Sequence, residues 1–263
     1  MTDRFESARQ KLNRARKHAD DLEAEVRAFW ATNPLEIELV RTSTTDPSIY
    51  RVARIEALPD SIPLIAGDAA HNIRSALDHF TCSVVPCPDR ATAFPVWSTS
   101  KGTMPTASQW PKEVERRMHG ASRGLIEALV KLEVWETGRD ALLWAIHELD
   151  RVDKHRLLLS IAVANTGIEL HGDDYVLATV KKFGGYAQDQ PLSLSPIKWT
   201  PVTQGTVLFD AQNGLGLGAP DANYTFDVTL GEPELLTRQS AVVQLRILAD
   251  LAESVIRELA QFV

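Results

Sequence analysis

The sequence predicts an α+β fold, in which a four-helix bundle has a small antiparallel β-sheet packed beside it. Three observations lead to this prediction. Heptad-like apolar seams lie near both ends of the 263-residue chain, two helices of mixed character lie between them, and short alternating segments fall within 35–57 and 166–231. We predict a single domain over 1–263, whose bundle is formed by four stretches: 1–33, 60–86, 111–164 and 234–263.

Composition limits the classes of partner. Apolar residues make up 44% and charged residues 24% of the chain, as in ordinary globular proteins. The formal net charge of -7 argues against a general nucleic-acid coat or a membrane-surface binder, although a local basic site is compatible with it. The N-terminus lacks the apolar core of a signal peptide, and the apolar run 157–164 is far shorter than the ~20 residues that span a bilayer. We therefore expect a cytoplasmic protein with no membrane partner and with two free thiols, Cys82 and Cys87.

The first and last helices are predicted from their seams. Apolar residues recur at alternating steps of three and four over 5–29. This pattern is typical of a long bundle helix or of a dimeric coiled coil, and small alanines at several seam positions favour the bundle. Asn33-Pro34 ends this helix. A similar seam over 241–262 predicts a last helix that begins near Glu234.

The chain between these helices alternates in character. Segments with period-two alternation or β-branched residues are predicted as strands of one antiparallel sheet: 35–42, 49–55, 175–180, 206–209 and 224–230. Further helices are expected at 111–118, 123–133 and 139–164. The fold therefore places helical segments on both sides of the first predicted hairpin and strands mainly after residue 164.

The residues that suggest chemistry lie on one face of a central helix, predicted over 62–84. At about 100° per residue, its small and apolar side chains form one broad stripe. The opposite face and its flank carry residue types from which sites are built: Asp68, His71, Arg74, Ser75, Asp78, His79 and Cys82. A surface helix usually shows Lys and Glu there, so these side chains are candidates for a functional site.

The third long helix carries a similar mixture in the sequence HELDRVDKHR. On a helical wheel, Asp153 falls inside its apolar arc, Asp150 lies at the edge of the arc and His147 lies on the other side. A carboxylate on an apolar face is costly to bury unless a cation or a hydrogen-bond donor meets it. We therefore expect Asp153, together with Asp150 at the edge of the arc, to face the flank of the central helix that holds His71 and Arg74.

The segment Arg74-Ser-Ala-Leu-Asp-His79 resembles the Arg-x4-6-His motif of HEPN domains, which are helical bundles and include metal-independent ribonucleases that act as dimers. The resemblance implies that His79 transfers a proton at the 2′-hydroxyl of RNA and that Arg74 stabilises charge on the phosphoryl oxygens. It also implies RNA and a second copy of the chain as partners, and no metal or other cofactor. Five steps along a straight helix separate the two side chains by about 140°, so a shared phosphate requires a kink or a second subunit. His71, Arg74 and Asp78 form the tighter cluster, and all four residues are catalytic candidates.

The chain is also similar to a group of bacterial proteins that pair a GDAxHNxRSALDH helix with an LxxxDKHR helix. Residues 67–79 carry the first motif and residues 149–156 the second. This similarity implies no particular activity, but it directs attention to the second helix as a source of binding residues. The candidates for binding are Asp150, Asp153, Lys154, His155 and Arg156.

Three other functions fit the same residues. A buried, charge-balanced network of His, Arg and Asp would fix helix register in a non-catalytic scaffold or binding module. A His/Asp metal site would draw ligands from facing helices, but the eight-residue spacings of His71/His79 and His147/His155 turn one member of each pair away by about 80°. Ligand binding in a cleft between bundle and sheet is the remaining alternative, with tryptophan contacts from Trp97, Trp110 or Trp144.

Overall fold

A computed structural model describes residues 4–40, 49–98, 104–155, 159, 161–171, 192–194, 199, 201–210, 221–237 and 239–263. The chain is α+β, as predicted. The binding candidate Arg156 and the predicted strand at 175–180 lie outside the described residues. Within those ranges, no helix combines the length and the apolar character needed to cross a membrane.

The described residues contain six α-helices: α1 Glu6–Ala31, α2 Ser61–Val84, α3 Gln109–Arg117, α4 Arg123–Val130, α5 Ala141–His155 and α6 Ala241–Leu259. Asn33 adopts a left-handed backbone (φ 53°) just beyond α1, so the Asn-Pro pair ends this helix as expected. The last helix begins at Ala241, later than predicted. Around Glu234 the chain forms only a single 3-10 turn, Glu234–Leu236, because the apolar seam itself starts later.

The predicted helix over 139–164 is too long. The structure ends α5 at His155 and places strand β3 at Ile161–His171. A short continuous apolar run such as 157–164 fits a buried strand as well as a helix, and periodicity alone does not separate the two. The β-branched pair Ile161 and Val163 is better suited to the strand.

The strands of the described residues form two three-stranded sheets, so the expectation of one sheet is wrong. The strands other than β3 are β1 Leu35–Val40, β2 Ile49–Ile55, β4 Leu192–Leu194, β5 Val207–Asp210 and β6 Asp221–Leu230. β2 pairs antiparallel with both β1 and β5, whereas β3 lies between β4 and β6. The rings of Tyr50 in β2 and Tyr224 in β6 lie 5.8 Å apart, so the two sheets meet through aromatic side chains.

The chain divides into two compact units. The first comprises 1–25, 60–160 and 230–263, and the second comprises 26–59 and 161–229. The first unit therefore holds most of α1 and all of α2 to α6, and the second holds most of the β-structure. Whether the chain is one domain, as predicted, stays a prediction.

Helix α2 is the centre of the first unit. Its apolar stripe is enclosed as the helical wheel predicts, with each of these side chains at most 1% exposed: Ala66, Ala69, Ala70, Ile73, Ala76, Leu77 and Phe80. α5 and α6 pack against α2, and side-chain contacts join both ends of α1 to opposite ends of α2. α1 and α2 are therefore antiparallel. His71 meets Asp150, and Gly67 meets Asp153, so α5 is antiparallel to α2 as well.

Candidate functional site

The polar face of α2 is divided among three neighbours. His71 turns toward α5, Arg74 and Asp78 turn toward the chain segment at Phe94, and His79 turns toward α1. The residues that the sequence groups together therefore belong to three separate sets of contacts. Each set has a different degree of exposure and a different chemical capacity.

The first set is a hydrogen-bonded His–Asp pair. His71 Nδ1 lies 2.8 Å from Asp150 Oδ1, and Lys154 Nζ donates to Asp150 Oδ2 at 2.6 Å. The Asp150 side chain is 6% exposed, whereas that of His71 is 43% exposed. Ser75 Oγ lies 3.4 Å from His71 Nε2. Because a carboxylate at Nδ1 favours the tautomer with its proton there, Nε2 is left as the proton acceptor.

Both carboxylates expected to face this flank lie against α2, and Asp150 is the one that bonds to His71, although it lies only at the edge of the apolar arc of α5. Asp153 is half-buried one turn further along, against Gly67, where any Cβ on Gly67 would overlap its carboxylate. Burial, with the negative charges of Asp150 and Asp68 nearby, raises the pKa of Asp153. The wheel gives each residue an angle on α5, but the point at which α2 crosses α5 decides which carboxylate meets the imidazole.

The second set holds Arg74 inside the protein. Arg74 is 6% exposed, and its Nη2 donates to Asp78 Oδ1 at 2.8 Å and to the Phe94 carbonyl at 3.0 Å. The Phe94 N–H donates to the same Asp78 oxygen at 2.9 Å. Burial lowers the pKa of Arg74, and the charges of Asp78 and Asp150 oppose that effect. These bonds tie the segment at Phe94 to α2 and leave the buried guanidinium poorly placed to meet a ligand, although its Nη1 has no hydrogen-bond partner among the described residues.

The third set places His79 against α1. His79 Nδ1 lies 2.6 Å from Ser7 Oγ, and the imidazole is half-buried. Since Arg74 faces a different neighbour, the two residues of the Arg-x4-His motif do not converge on one point of this chain. Their separation follows from the straight course of α2, over which five steps turn a side chain by about 140°.

His147 is a member of the cluster that sequence reasoning placed on the wrong side of α5. Burial and the neighbouring charge of Arg74 depress its pKa to about 4, and the charge of Asp150 acts in the opposite direction. Its Nδ1 has no hydrogen-bond partner among the described residues. His147 precedes Asp150 by three residues, a spacing that puts two helical side chains on one face, so the sequence did contain a signal for this position.

The remaining candidates lie at the rim. Lys154 and His155 are exposed at the end of α5, and only Lys154 contacts the His71–Asp150 pair. From α1, Lys11 Nζ lies 3.4 Å from Asn72 Oδ1, next to His71 in α2. One ammonium group therefore bonds to the carboxylate that holds His71, and a second bonds to the residue that follows His71 in α2.

The cysteines fit the expectation of free thiols. Cys82 and Cys87 are exposed and are not joined to each other. Partial burial and the nearby carboxylate of Asp78 raise the pKa of Cys82. A raised pKa disfavours the thiolate, which is the nucleophilic form, so Cys82 is a poor candidate for covalent chemistry.

The described part of the chain holds no group of three or more His, Cys, Asp or Glu residues arranged to bind a metal ion. His71 and His79 bond to different helices. Of the other spaced pair, His147 is half-buried and His155 is exposed. The eight-residue spacings therefore do not bring imidazoles together, as the turn of about 80° per step of eight predicts.

Comparison of the chain with protein-family models, with curated proteins and with solved structures gave no match. Of the three sets of contacts, the His71–Asp150 pair alone combines an accessible ring nitrogen with a buried carboxylate. It is the part of the cluster best suited to exchange a proton with a bound molecule.

Proposed function

We propose that this chain is a cytoplasmic, metal-independent RNA-processing enzyme in which His71 transfers the proton and Asp150 positions it. The observation that supports this proposal is the contrast within one hydrogen-bonded pair: the imidazole is 43% exposed and its carboxylate partner is 6% exposed. A buried carboxylate orients the ring and stabilises the imidazolium that forms during reaction. We take α1, α2, α5 and α6 as the four-helix bundle that carries the site.

In this proposal, His71 Nε2 accepts the proton of a ribose 2′-hydroxyl as that oxygen attacks the adjacent phosphorus atom. The bond between phosphorus and the 5′-oxygen of the next nucleotide breaks, and the departing 5′-oxygen takes a proton from water. Lys154, which bonds to Asp150, and Lys11, which bonds to Asn72, supply positive charge for the phosphoryl oxygens. The resemblance to HEPN domains supports the class of reaction, but the residue assignments differ from those it implies. His71 takes the role expected for His79, and Arg74 stays in the protein interior as a structural residue.

Ser75 is not assigned as a nucleophile, although its hydroxyl lies near His71 Nε2. Ser75 lies in the middle of α2, where backbone N–H groups donate to carbonyls one turn earlier. Such amides are not free to form an oxyanion hole, which acyl transfer from a serine requires. The Ser75 hydroxyl instead lies where a substrate hydroxyl would approach Nε2.

The test is cleavage of a fluorescent single-stranded RNA in the presence of EDTA, with mass spectrometry of the products. The wild type is expected to yield 2′,3′-cyclic phosphate ends. His71→Gln and Asp150→Asn should each reduce the rate by about 10²–10⁴-fold, which is the typical contribution of general acid–base catalysis. The control is His119→Gln, because His119 bonds to the Cys87 carbonyl on another surface. A preparation in which His71→Gln cleaves RNA as fast as the wild type would refute the assignment.

A non-catalytic scaffold or binding module is the second candidate, and the arrangement around Arg74 favours it. A guanidinium that is 6% exposed and joined to Asp78 and to the Phe94 carbonyl serves register rather than catalysis. If this is the function, neither the wild type nor any variant cleaves RNA. His71→Gln then lowers only the free energy of unfolding, by about 1–3 kcal/mol, because Asp150 loses a hydrogen-bond donor. Light scattering after size exclusion tests the homodimer that the HEPN resemblance implies, for either function.

A further inference from the structure

One side of α1 carries a row of basic and polar side chains along the polar face of α2. Its members, which we call the basic stripe, are Arg4, just before the helix, and the helical residues Ser7, Lys11, Arg14 and His18. At about 100° per residue, the four helical members fall within an arc of about 60°. This side faces α2, because Arg4 Nε donates to the Ser83 carbonyl at 2.8 Å and because Ser7 and Lys11 also contact that helix.

The antiparallel register of α1 and α2 places the stripe beside the His71–Asp150 pair. Contacts near the two ends of α1 fix this register. Arg14 therefore lies at about the level of His71, and Arg4 lies about three turns away, toward the C-terminal end of α2. The stripe thus leads along α1 from the end of α2 to the proposed site.

The cations of the stripe differ from other cations of α1 in their partners. Arg9, Arg16 and Lys17, on the other sides of the helix, each form a salt bridge with a carboxylate. Within the ranges that the structure describes, the three cations of the stripe form none. Their side chains bond instead to a carbonyl, an amide oxygen and an imidazole, all of which are neutral acceptors. Cations left without counter-charge, on a chain whose net charge is -7, indicate an anionic partner.

The length of the stripe favours a chain of phosphates over a single anion. Arg4 and Arg14 are ten positions apart, which corresponds to about 15 Å along a helix. One phosphate group cannot meet both guanidinium groups over that distance, whereas successive phosphates of a nucleic-acid strand can. A membrane surface would also require apolar side chains that enter it. Among the described residues, no large exposed apolar side chain lies on α1.

We propose that the basic stripe binds the phosphate backbone of single-stranded RNA and leads it to His71. The choice of RNA rests on the function proposed above, whereas the preference for a polyanion rests on the unpaired charges of α1. In this arrangement Lys11 meets the phosphate that reacts, and Arg4 and Arg14 hold neighbouring phosphates. A positively charged groove that follows the backbone is the usual means of binding a single strand without regard to sequence. The substrate is accordingly a strand of several nucleotides rather than a free nucleotide.

The test is fluorescence anisotropy of the full chain with a labelled 2′-O-methyl RNA of about 12 nucleotides, which lacks the reactive hydroxyl and so is not cleaved. Affinity is measured between about 50 and 300 mM KCl. For Arg4→Gln combined with Arg14→Gln, the slope of log K against log[KCl] should become less negative by about 1.4, because each phosphate contact to a single strand contributes about 0.7. The affinity at about 50 mM KCl should fall by about tenfold or more.

Two further variants separate charge from structure. Arg4→Lys combined with Arg14→Lys keeps both charges and should keep the slope of the wild type. The matched control is Lys112→Gln combined with Lys131→Gln, which removes the same charge from exposed positions in α3 and at the end of α4. This control should leave the slope unchanged. The fold of every variant is verified by circular dichroism before titration.

Failure of this inference and failure of the proposed function give different results. An unchanged slope in the double glutamine variant, an equal change in the control, or no binding of the oligonucleotide at about 100 μM protein would each overturn the inference, even if His71 cleaves RNA. Binding to phosphatidylserine vesicles without binding to the oligonucleotide would assign the stripe to a membrane and would overturn it too. The expected change in slope without any RNA cleavage would support the stripe and refute the reaction at His71.

Discussion

The half-buried imidazole of His147 should make the stability of the protein depend on pH in a defined window. Its pKa is depressed from 6.5 to about 4 by burial and by the positive charges of Arg74, Arg151 and Arg117, against the opposing charge of Asp150. The folded protein therefore holds this ring neutral under conditions in which the unfolded chain takes up a proton. Below pH 6.5, proton uptake favours the unfolded chain, so the free energy of unfolding falls as the pH falls toward 4.

The expected size follows from the shift. At about 1.36 kcal/mol per pKa unit, a change from 6.5 to about 4 corresponds to a loss of about 3 kcal/mol in the free energy of unfolding when the pH has fallen below both pKa values. At pH 7 the ring is neutral in the folded protein and mostly neutral in the unfolded chain, so its contribution to the pH dependence is small there. His147→Gln removes the titrating group and should therefore flatten the curve of unfolding free energy between pH ~7 and ~4.5 by about 2–3 kcal/mol.

The assay is urea denaturation at several pH values, followed by tryptophan fluorescence, for the wild type, His147→Gln and His147→Phe. The two variants differ in polarity and shape, so a flattening that they share reports the lost proton rather than altered packing. Each variant is compared with its own stability at pH ~7, which removes any constant cost of the substitution. Parallel loss of stability in all three proteins on acidification would refute this account of His147.

Two further predictions concern local packing. Gly67→Ala should destabilise the protein because the new methyl group displaces the Asp153 carboxylate. In an Asp153→Ala background, the same change should instead raise the free energy of unfolding by up to about 1 kcal/mol, because alanine has a higher helix propensity than glycine. Equilibrium unfolding of the four proteins measures this coupling, and additive effects would contradict it. Ser122→Ala should cost about 1 kcal/mol, since Ser122 Oγ caps α4 by accepting from the Leu125 N–H and also donates to the Phe262 carbonyl. Ser122→Asp, which retains the cap, is the control, and equal thermal stability of both variants would contradict it.

The parts of the fold that depend on local periodicity were predictable. The apolar stripe of α2 and the two strands of the first hairpin follow from spacings of 3.6 and 2 residues, which act within each segment. The boundary between α5 and β3 was not predictable in the same way, because the apolar run before Val163 fits either structure. The assignment of strands to two sheets depends on pairing between distant segments, which no local pattern contains.

The candidate site was likewise predictable from the sequence only in part. The helical wheel identified the polar face of α2 and the need for a partner to a buried carboxylate of α5. It directed both Asp153 and Asp150 to the flank of α2 but did not give which of them bonds to His71, because a wheel gives directions around one axis but not the crossing point of two axes. The partner of Arg74 was beyond sequence reasoning for a different reason. It includes the backbone carbonyl of Phe94, and a backbone group in a long connection carries no signature in the sequence.

The hydrogen bonds at Phe94 change what the connection after α2 does mechanically. Residues 86–90 of this connection are exposed, whereas Phe94 is anchored on α2 through Arg74 and Asp78. A little further along, the Trp97 N–H donates to the Val134 carbonyl, just before α5. A protease cut within 86–90 would therefore leave the downstream fragment fastened to the helix from which it was severed. The hydrogen bonds of Phe94 and Trp97 therefore hold this connection against the helices, and the unbroken chain at 86–90 is not required for that attachment.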